Sequence, residues 1–478
     1  MKQFSTRIIL YFILLLIGVS CRNAPEVNVN QLIADGSWLQ AEVVLGQKIA
    51  QSQNDSVAHQ NYIVQLEKLS RLRKEFPLTR NDIKESLKSY YSDISDQQLD
   101  EWENSGQLEM RVIDGKKRYF SRAVSNFFRL NPEAKMRKEN VDGKAFDRVE
   151  MFQQQVIPQY FENNMAGRKP FDRKKMKITY TIELNANAVP DGEIVHCWLP
   201  YPKAGINRSS EVELLEVNAD SFQLAPSEVA QRSIYFRKKA VKDKKTVFSV
   251  TYAAHTAAQW FDVQPGQVMP YDTNSELYEK YTSEQPPHII FSDKIKELAK
   301  KIVKKEKNPV HQVKLLYYWL NDSIPWAGAL EYSVMDCIPE YVLEHRRGDC
   351  GMQTFLFLSM ARSLGIPCKW QSGWYLFPQE KNLHDWAEVY YEGIGWVPVD
   401  PSFKLIDSDD VRVKEFYMNG LDSYRLIVND DVAGEFTPKK KYYRSEPFDF
   451  QRGELEWRGG NLYFDTWDYH MEVEYPEP

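Results

Sequence analysis

Cysteine is scarce in this chain, with five in 478 residues. Cys21 ends an N-terminal leader, so Cys197, Cys337, Cys350 and Cys368 are all that remain for the body of the protein. Four thiols over that length argue against a disulfide framework, the more so if one must stay reduced for chemistry. Cys197 and Cys368 lie in apolar, strand-like runs and read as small core residues. No Cys or His pair has ligand spacing, so neither a metal nor any other cofactor is expected. A basic excess is also missing: Lys and Arg total 61 against 67 Asp and Glu, for a net charge of −6. Loss of Lys2 and Arg7 with a cleaved leader makes the balance more acidic, which excludes nucleic acid as a general partner. Past residue 17 no stretch is apolar enough to cross a bilayer.

The leader itself has a defined pattern. Lys2 and Arg7 precede the apolar run Ile8 to Ile17, and Gly18-Val19-Ser20-Cys21 follows. The run is short for a membrane span and suits a secretory signal. Small residues running into a Cys resemble the bacterial lipoprotein signal, in which that Cys is lipidated and becomes the first residue. Cys21 is therefore the expected lipid attachment site, and plain secretion with cleavage nearby is the rival reading. Several acyl chains on one residue suffice for stable anchoring. Arg22 stands next after the cleavage point, which leaves open whether the inner or outer membrane of an exported bacterial envelope protein is meant.

The expected fold class is α+β. Residues 1–20 form the signal and 21–29 a tether. Residues 30–170 read as a mainly helical region. Within it, helix starts at Leu78 to Ile83, with Asn81 or Thr79 as cap, and at Ser95 to Leu99 precede two strand-like runs around Asp114-Gly115, a strong hairpin signal. Helix, helix and hairpin resemble a winged helix, here a structural or protein-docking unit given the leader and the acidic balance. Residues 171–264 alternate apolar and polar side chains between turns such as Pro190-Asp191-Gly192, as an antiparallel β-sandwich does. Residues 265–405 open with helices near Ser292–Lys304 and Pro309–Asn321 and hold the chemistry-bearing motifs. Residues 406–478 form an aromatic-rich C-terminal β extension, whose Trp457, Tyr463, Phe464, Trp467 and Tyr469 read as strands over a core, with a sugar-stacking platform as the other reading.

Three residues stand in an order that chemistry can use. Cys350 lies in Arg347-Gly348-Asp349-Cys350-Gly351-Met352-Gln353, ahead of an apolar run of helical length that stops at Gly365-Ile366-Pro367. The flanking glycines permit a tight turn, so Cys350 is expected at a helix N-terminus. There the helix dipole lowers a thiol pKa, and free N–H groups, that of Cys350 first, can hold an oxyanion. His384 opens a strand in which His384, Trp386 and Glu388 share one face, while Asp385 points to the other. A turn at Gly393-Ile394-Gly395 leads into Trp396 to Val399 and Asp400. The resulting hairpin brings His384 and Asp400 together. A nucleophile, a base and an orienting carboxylate are the parts of a thiol acyl-transfer site.

Gly348-Asp349-Cys350-Gly351, Ala361 to Pro367, His384-Asp385-Trp386-Ala387-Glu388-Val389 and Trp396 to Pro401 together resemble the transglutaminase-like superfamily of papain-like cysteine enzymes. The resemblance covers roughly residues 290 to 405 and implies a papain-like core with Cys350 as nucleophile, His384 as base and Asp400 as acid. It implies an acyl-enzyme formed on a protein or peptide amide, resolved by water (protease or amidase) or by an amine (cross-linking). Related enzymes supply an oxyanion side chain from the segment before the nucleophile, where Trp326 and Tyr332 stand; core packing is the plainer reading of each. An inactive family member acting as a binding or assembly lipoprotein is the alternative. Oligomeric state is not legible.

If Cys21 carries lipid, the full chain made in a bacterial host partitions into the detergent phase of a cloud-point extraction. Cys21→Ser then moves to the aqueous phase; identical partitioning of the two removes the anchor.

Overall fold

The computed structural model describes residues 28–206 and 208–476. The leader and Cys21 lie outside the described residues. Two compact units are present.

The first unit runs to Leu69 and includes the hairpin tip Val112–Lys117. Its helix Val29–Ala34 starts on Asn28, whose side chain accepts from the N–H groups of Asn30 and Gln31. The helix Trp38–Gln51 buries Trp38, Ala41 and Leu45, a spacing of three and four residues that puts all three on one face. At the hairpin tip Asp114 and Gly115 take φ of 49° and 74°, the left-handed pair that a two-residue turn requires. The Leu39 N–H donates to the Asp114 carboxylate at 2.8 Å.

The second unit holds the rest. Helices Arg80–Leu87 and Asp96–Asn104 come first. The first is capped by a Thr79–Asp82 capping box and the second by Ser95. Next along the chain are strands β1 (Met110–Ile113) and β2 (Lys116–Tyr119), of which Val112–Lys117 belongs to the first unit. The helix Arg148–Glu162 leads into β3 (Phe171–Leu184), β4 (Ile194–Pro200), β5 (Ser209–Val217), β6 (Gln223–Leu224), β7 (Ser233–Lys239) and β8 (Thr246–Trp260). Next come the helices Asp293–Val303, Pro309–Ser323 and Ile338–His345, the helix Cys350–Ser363, and β9 (Cys368–Leu376), β10 (Lys381–Tyr391) and β11 (Gly395–Val399). The chain closes with β12 (Gly420–Leu421), β13 (Arg425–Asn429), β14 (Glu454–Trp457), β15 (Gly460–Leu462) and β16 (Trp467–Glu474). No helix among the described residues is long and apolar enough to cross a membrane.

The residues after 405 do more than extend the chain. The two sandwich sheets run β12-β8-β3-β16, with β5 also on β8, and β15-β14-β4-β7-β6. The tail thus supplies strands to both. β16 covers the edge of the 14-residue strand β3 over its length from Lys177 to Leu184. Its outward side chains Asp468, His470, Glu472 and Glu474 are polar, as an outermost strand needs to be if it is not to recruit another chain. Trp467 and Leu455 enter the sandwich core, and Trp457, Phe464 and Tyr469 pack against it.

The tail also supplies β13 to the sheet beside the Cys350–Ser363 helix, ordered β11-β10-β9-β13 and antiparallel throughout. Sandwich and sheet share one core: Trp374 and Leu376 of β9 and Leu426 and Val428 of β13 pack with Tyr180, Phe248 and Leu455. Trp374 stacks on Tyr180 with ring centroids 5.1 Å apart. Nearer the start of β9, Trp370 stacks on Phe355 of the Cys350–Ser363 helix at 4.2 Å. The opposite sheet face, with Trp386 and Ile427, is covered by Ile157 and Tyr160 of the Arg148–Glu162 helix and by Phe416 and Tyr417.

Gly373 sits opposite His384 in one register and Ile427 in the other. A Cβ at this position would stand 2.0 Å from the Leu426 carbonyl oxygen and 2.9 Å from the Val428 nitrogen, both backbone atoms. Gly373→Ala is expected to destabilise by about 3 kcal/mol or more, at or above the upper end of overpacking costs. Gly266→Ala, with open space around it, is expected to stay within about 0.5 kcal/mol of wild type. Denaturant unfolding of both variants measures the difference.

Candidate active site

Cys350 is the first residue of a helix that runs to Ser363 and is buried on all sides, as its Phe355-Leu356-Phe357-Leu358 run dictates. Asp349 caps it, its carboxylate accepting from the Met352 N–H at 3.1 Å. The Tyr332 hydroxyl donates to the same carboxylate oxygen, Asp349 Oδ1. A Cβ at residue 351 would lie 2.2 Å from that hydroxyl, so glycine at 351 is a packing requirement. Of the two aromatic residues before the nucleophile, Tyr332 is thus the one at the helix start. Trp326 instead lies under the Arg129 guanidinium, 4.6 Å from it.

His384 and Asp400 meet as their hairpin requires. β10 and β11 pair from Tyr391↔Gly395 to Ala387↔Val399, and beyond the last pair His384 Nε2 donates to Asp400 Oδ2 at 2.7 Å. Both side chains are buried. Asp400 Oδ1 accepts from the N–H groups of Ser402 and Phe403, each at 3.2 Å, and from the Ser402 hydroxyl at 3.0 Å. A further donor reaches the site from β13: Arg425 Nη1 lies 2.8 Å from Asp400 Oδ2, the oxygen that also serves His384. Arg425 Nε donates to Asp422 at 3.0 Å, and the guanidinium stacks 3.9 Å from the centre of the Phe403 ring. Arg425 was missed by the sequence reading. Its one signal is a charge at the head of the apolar run Leu426-Ile427-Val428.

The electrostatics follow from these contacts. Burial pushes the Asp400 carboxyl up, but His384 and Arg425 outweigh it and pull it down to about 2. An ionised carboxylate only accepts, so the proton of the His384–Asp400 bond belongs to Nε2. That leaves the Nδ1 lone pair as the base of the ring. Burial holds the His384 pKa below its ordinary value; Asp400 works against this and Arg425 adds to it. The ring is therefore neutral at physiological pH and able to take a proton.

Cys350 does not meet the expectation of a depressed pKa. Its thiol donates to Asp385 Oδ2 at 3.3 Å, and among the described residues no hydrogen bond joins it to His384. Burial first, then the Asp385 and Asp349 carboxyls, push the Cys350 thiol well above its usual range. A helix N-terminus offers about half a unit charge, and two neighbouring carboxyls outweigh it. Tyr375 packs edge-on against the His384 ring at 5.6 Å. Asp385 does lie on the opposite strand face from His384, as alternation demands. That face is the one turned to Cys350. Cys197 and Cys368 are buried, Cys337 is half-buried, and all are free thiols.

Arg425→Met should separate the two contributions of this buried network. Removing one partner of a buried pair costs about 3–5 kcal/mol, read by denaturant unfolding. In wild type the stability due to ionised Asp400 is complete above the ordinary carboxylate pKa of about 3.9. It is lost as pH falls through the folded-state value of about 2. Without Arg425 that loss begins at higher pH. The His384 titration, followed by NMR, should also move to higher pH, because Arg425 disfavours the imidazolium. A stability loss with the His384 titration unmoved would limit Arg425 to packing.

An uncharacterised protein of Haemophilus influenzae is 28% identical over 32% of this chain and 47% of its own length, so the match spans about half of that relative. A crystal structure of a candidate cysteine protease from Cytophaga hutchinsonii superposes with a TM-score of 0.44 at 16% identity, over 64% of this chain and 92% of that one. The periplasmic domain of TgpA from Pseudomonas aeruginosa, solved with ethylmercury bound, gives a TM-score of 0.23 at 14% identity, over 54% of this chain and 98% of that one. Residues 296–401 match the model of the transglutaminase-like superfamily and contain Cys350, His384 and Asp400, so this segment is similar to that superfamily.

Proposed function

We propose that the chain is a cysteine acyl-transfer enzyme of the bacterial envelope, exported and held to the membrane by lipid on Cys21, with a protein or peptide as its substrate. The observation that carries the chemistry is the buried Asp400–His384 pair, 2.7 Å apart, whose fixed tautomer presents Nδ1 on the side of the ring away from Asp400. In this reading His384 takes the Cys350 proton, and the sulfur attacks an amide carbonyl. The S–C bond forms as the carbonyl π electrons move to oxygen, where the N–H groups at the helix start stabilise the charge. The imidazolium then protonates the leaving nitrogen, the C–N bond breaks, and a thioester remains. Water resolves it by hydrolysis, the default acceptor; an amine would give a cross-link.

A second reading, a binding or assembly lipoprotein without turnover, is favoured by one observation: the thiol is bonded to Asp385 and not to His384. The test incubates the soluble chain from residue 22 with a glutamine-containing protein and a fluorescent primary amine, with Cys350→Ala as control. New peptide ends that need Cys350 support hydrolysis, and amine incorporation that needs Cys350 supports cross-linking. Neither product, together with a Cys350 that alkylates no faster than Cys337 at any pH, overturns the enzyme reading.

A further inference from the structure

The contact between Cys350 and Asp385 is built from three sides. β11 stops pairing at Ala387, which opens the edge of β10 at Asp385, where the carboxyl meets the sulfur. From the tail, Gln451 Nε2 donates at 2.8 Å both to Asp385 Oδ1 and to the His384 carbonyl. Gln451 is itself fixed: its carbonyl accepts from Trp374 Nε1 at 3.1 Å and its N–H donates to Glu446 at 2.9 Å. From below, a Cβ at residue 351 would lie 2.7 Å from Asp385 Oδ2, so this oxygen sits directly on the first turn of the nucleophile helix. One carboxyl oxygen is held by an amide, and the other is left for the sulfur.

We propose that Asp385 is a catalytic residue that must carry a proton in the active form, its O–H donating to the Cys350 thiolate, whereas ionised Asp385 keeps the proton on the sulfur. This rests on the enzyme reading above. In the protonated form the Cys350 S–H proton goes to His384 Nδ1, Asp385 retains its own proton, and the sulfur stands as thiolate beside one donor, the Asp385 O–H. When Asp385 loses its proton to water, the carboxylate 3.3 Å away repels the thiolate, and the imidazolium proton returns to sulfur. The groups acting on Asp385 agree with this. Burial first, then the carboxyls of Asp449 and Asp349 and the charge of Glu446, hold it well above the usual carboxylate range. Glu446 is itself paired with Arg452, and Tyr332 is the neutral hydroxyl on this side. The alkaline limb of activity therefore belongs to a carboxyl.

The experiment follows alkylation of Cys350 by iodoacetamide across pH, with peptide mapping, in the soluble chain from residue 22. Wild type should pass through a maximum and fall as Asp385 ionises, before the free thiol ionises at high pH. Asp385→Asn should lose the fall and react on the order of tenfold faster on the alkaline side, the effect of removing one adjacent like charge. Asp449→Asn, a half-buried position that does not bond the thiol, keeps the test independent of folding in the first variant. It should move the fall to lower pH, because Asp385 then ionises more readily. Unchanged profiles in both folded variants overturn the proposal while leaving the enzyme reading intact. A Cys350 that never reacts in wild type overturns both.

Discussion

The arrangement at one end of the sheet depends on a single buried anion. Asp400 is fully enclosed, and removing a carboxylate from water costs several kcal/mol unless its oxygens are satisfied. Here five donors converge on it: His384, Arg425, the backbone of Ser402 and Phe403, and the Ser402 hydroxyl. They come from three parts of the chain: β10, β13 and the turn after β11. The charge therefore fixes the imidazole tautomer and also pins β13 to the hairpin. Arg425 divides its donors between Asp400 and Asp422, and its flat face lies on Phe403. Asp400 is satisfied on both oxygens, whereas Arg425 bonds through Nε and Nη1 and its buried Nη2 has no hydrogen-bond partner among the described residues.

A second carboxyl, one residue from His384, lives in the opposite environment. Asp400 is surrounded by donors and cations and is held low; Asp385 is surrounded by Asp449, Asp349 and Glu446 and is held high. Environments that push two carboxyls apart assign them different roles at one pH. One stays an anion that orients a base. The other is suited to keep a proton beside a sulfur. Strand alternation makes the division possible, because His384 and Asp385 reach opposite faces of β10 from adjacent positions.

The tail joins both halves of this design. β13 brings Arg425 to Asp400, and the segment before β14 brings Gln451 to Asp385 and the His384 carbonyl. The same tail supplies β12, β14, β15 and β16 to the sandwich. Trp374 links the two: its ring lies in the sandwich core against Tyr180, and its N–H holds Gln451. Packing of the sandwich is thus coupled to the position of groups at the nucleophile, and a scaffold role for the sandwich has a physical route to the site.

Much of this was legible in local patterns. The hairpin that joins His384 to Asp400, the helix that starts at Cys350, the Thr79 and Ser95 caps and the Asp114-Gly115 turn all follow from spacing within a few residues, because helix and strand periods and turn chemistry are local. The face of Asp385 was legible for the same reason. What the sequence could not decide was what each face would meet. Arg425 lies 25 residues from Asp400 and Gln451 lies 66 from Asp385, and nothing in either local pattern names its partner. The sign of the thiol shift was also hidden, since a helix N-terminus can be read from sequence but the carboxyls packed against it cannot. The tail read as an extension because its strands are short and aromatic. Only the closed sandwich shows that those strands complete sheets begun nearly 300 residues earlier, as β16 does against β3. Sequence by itself determined the local elements and the order of Cys350, His384 and Asp400. Tertiary structure decided their charges, because a pKa is set by every group that burial brings near, whatever its distance along the chain.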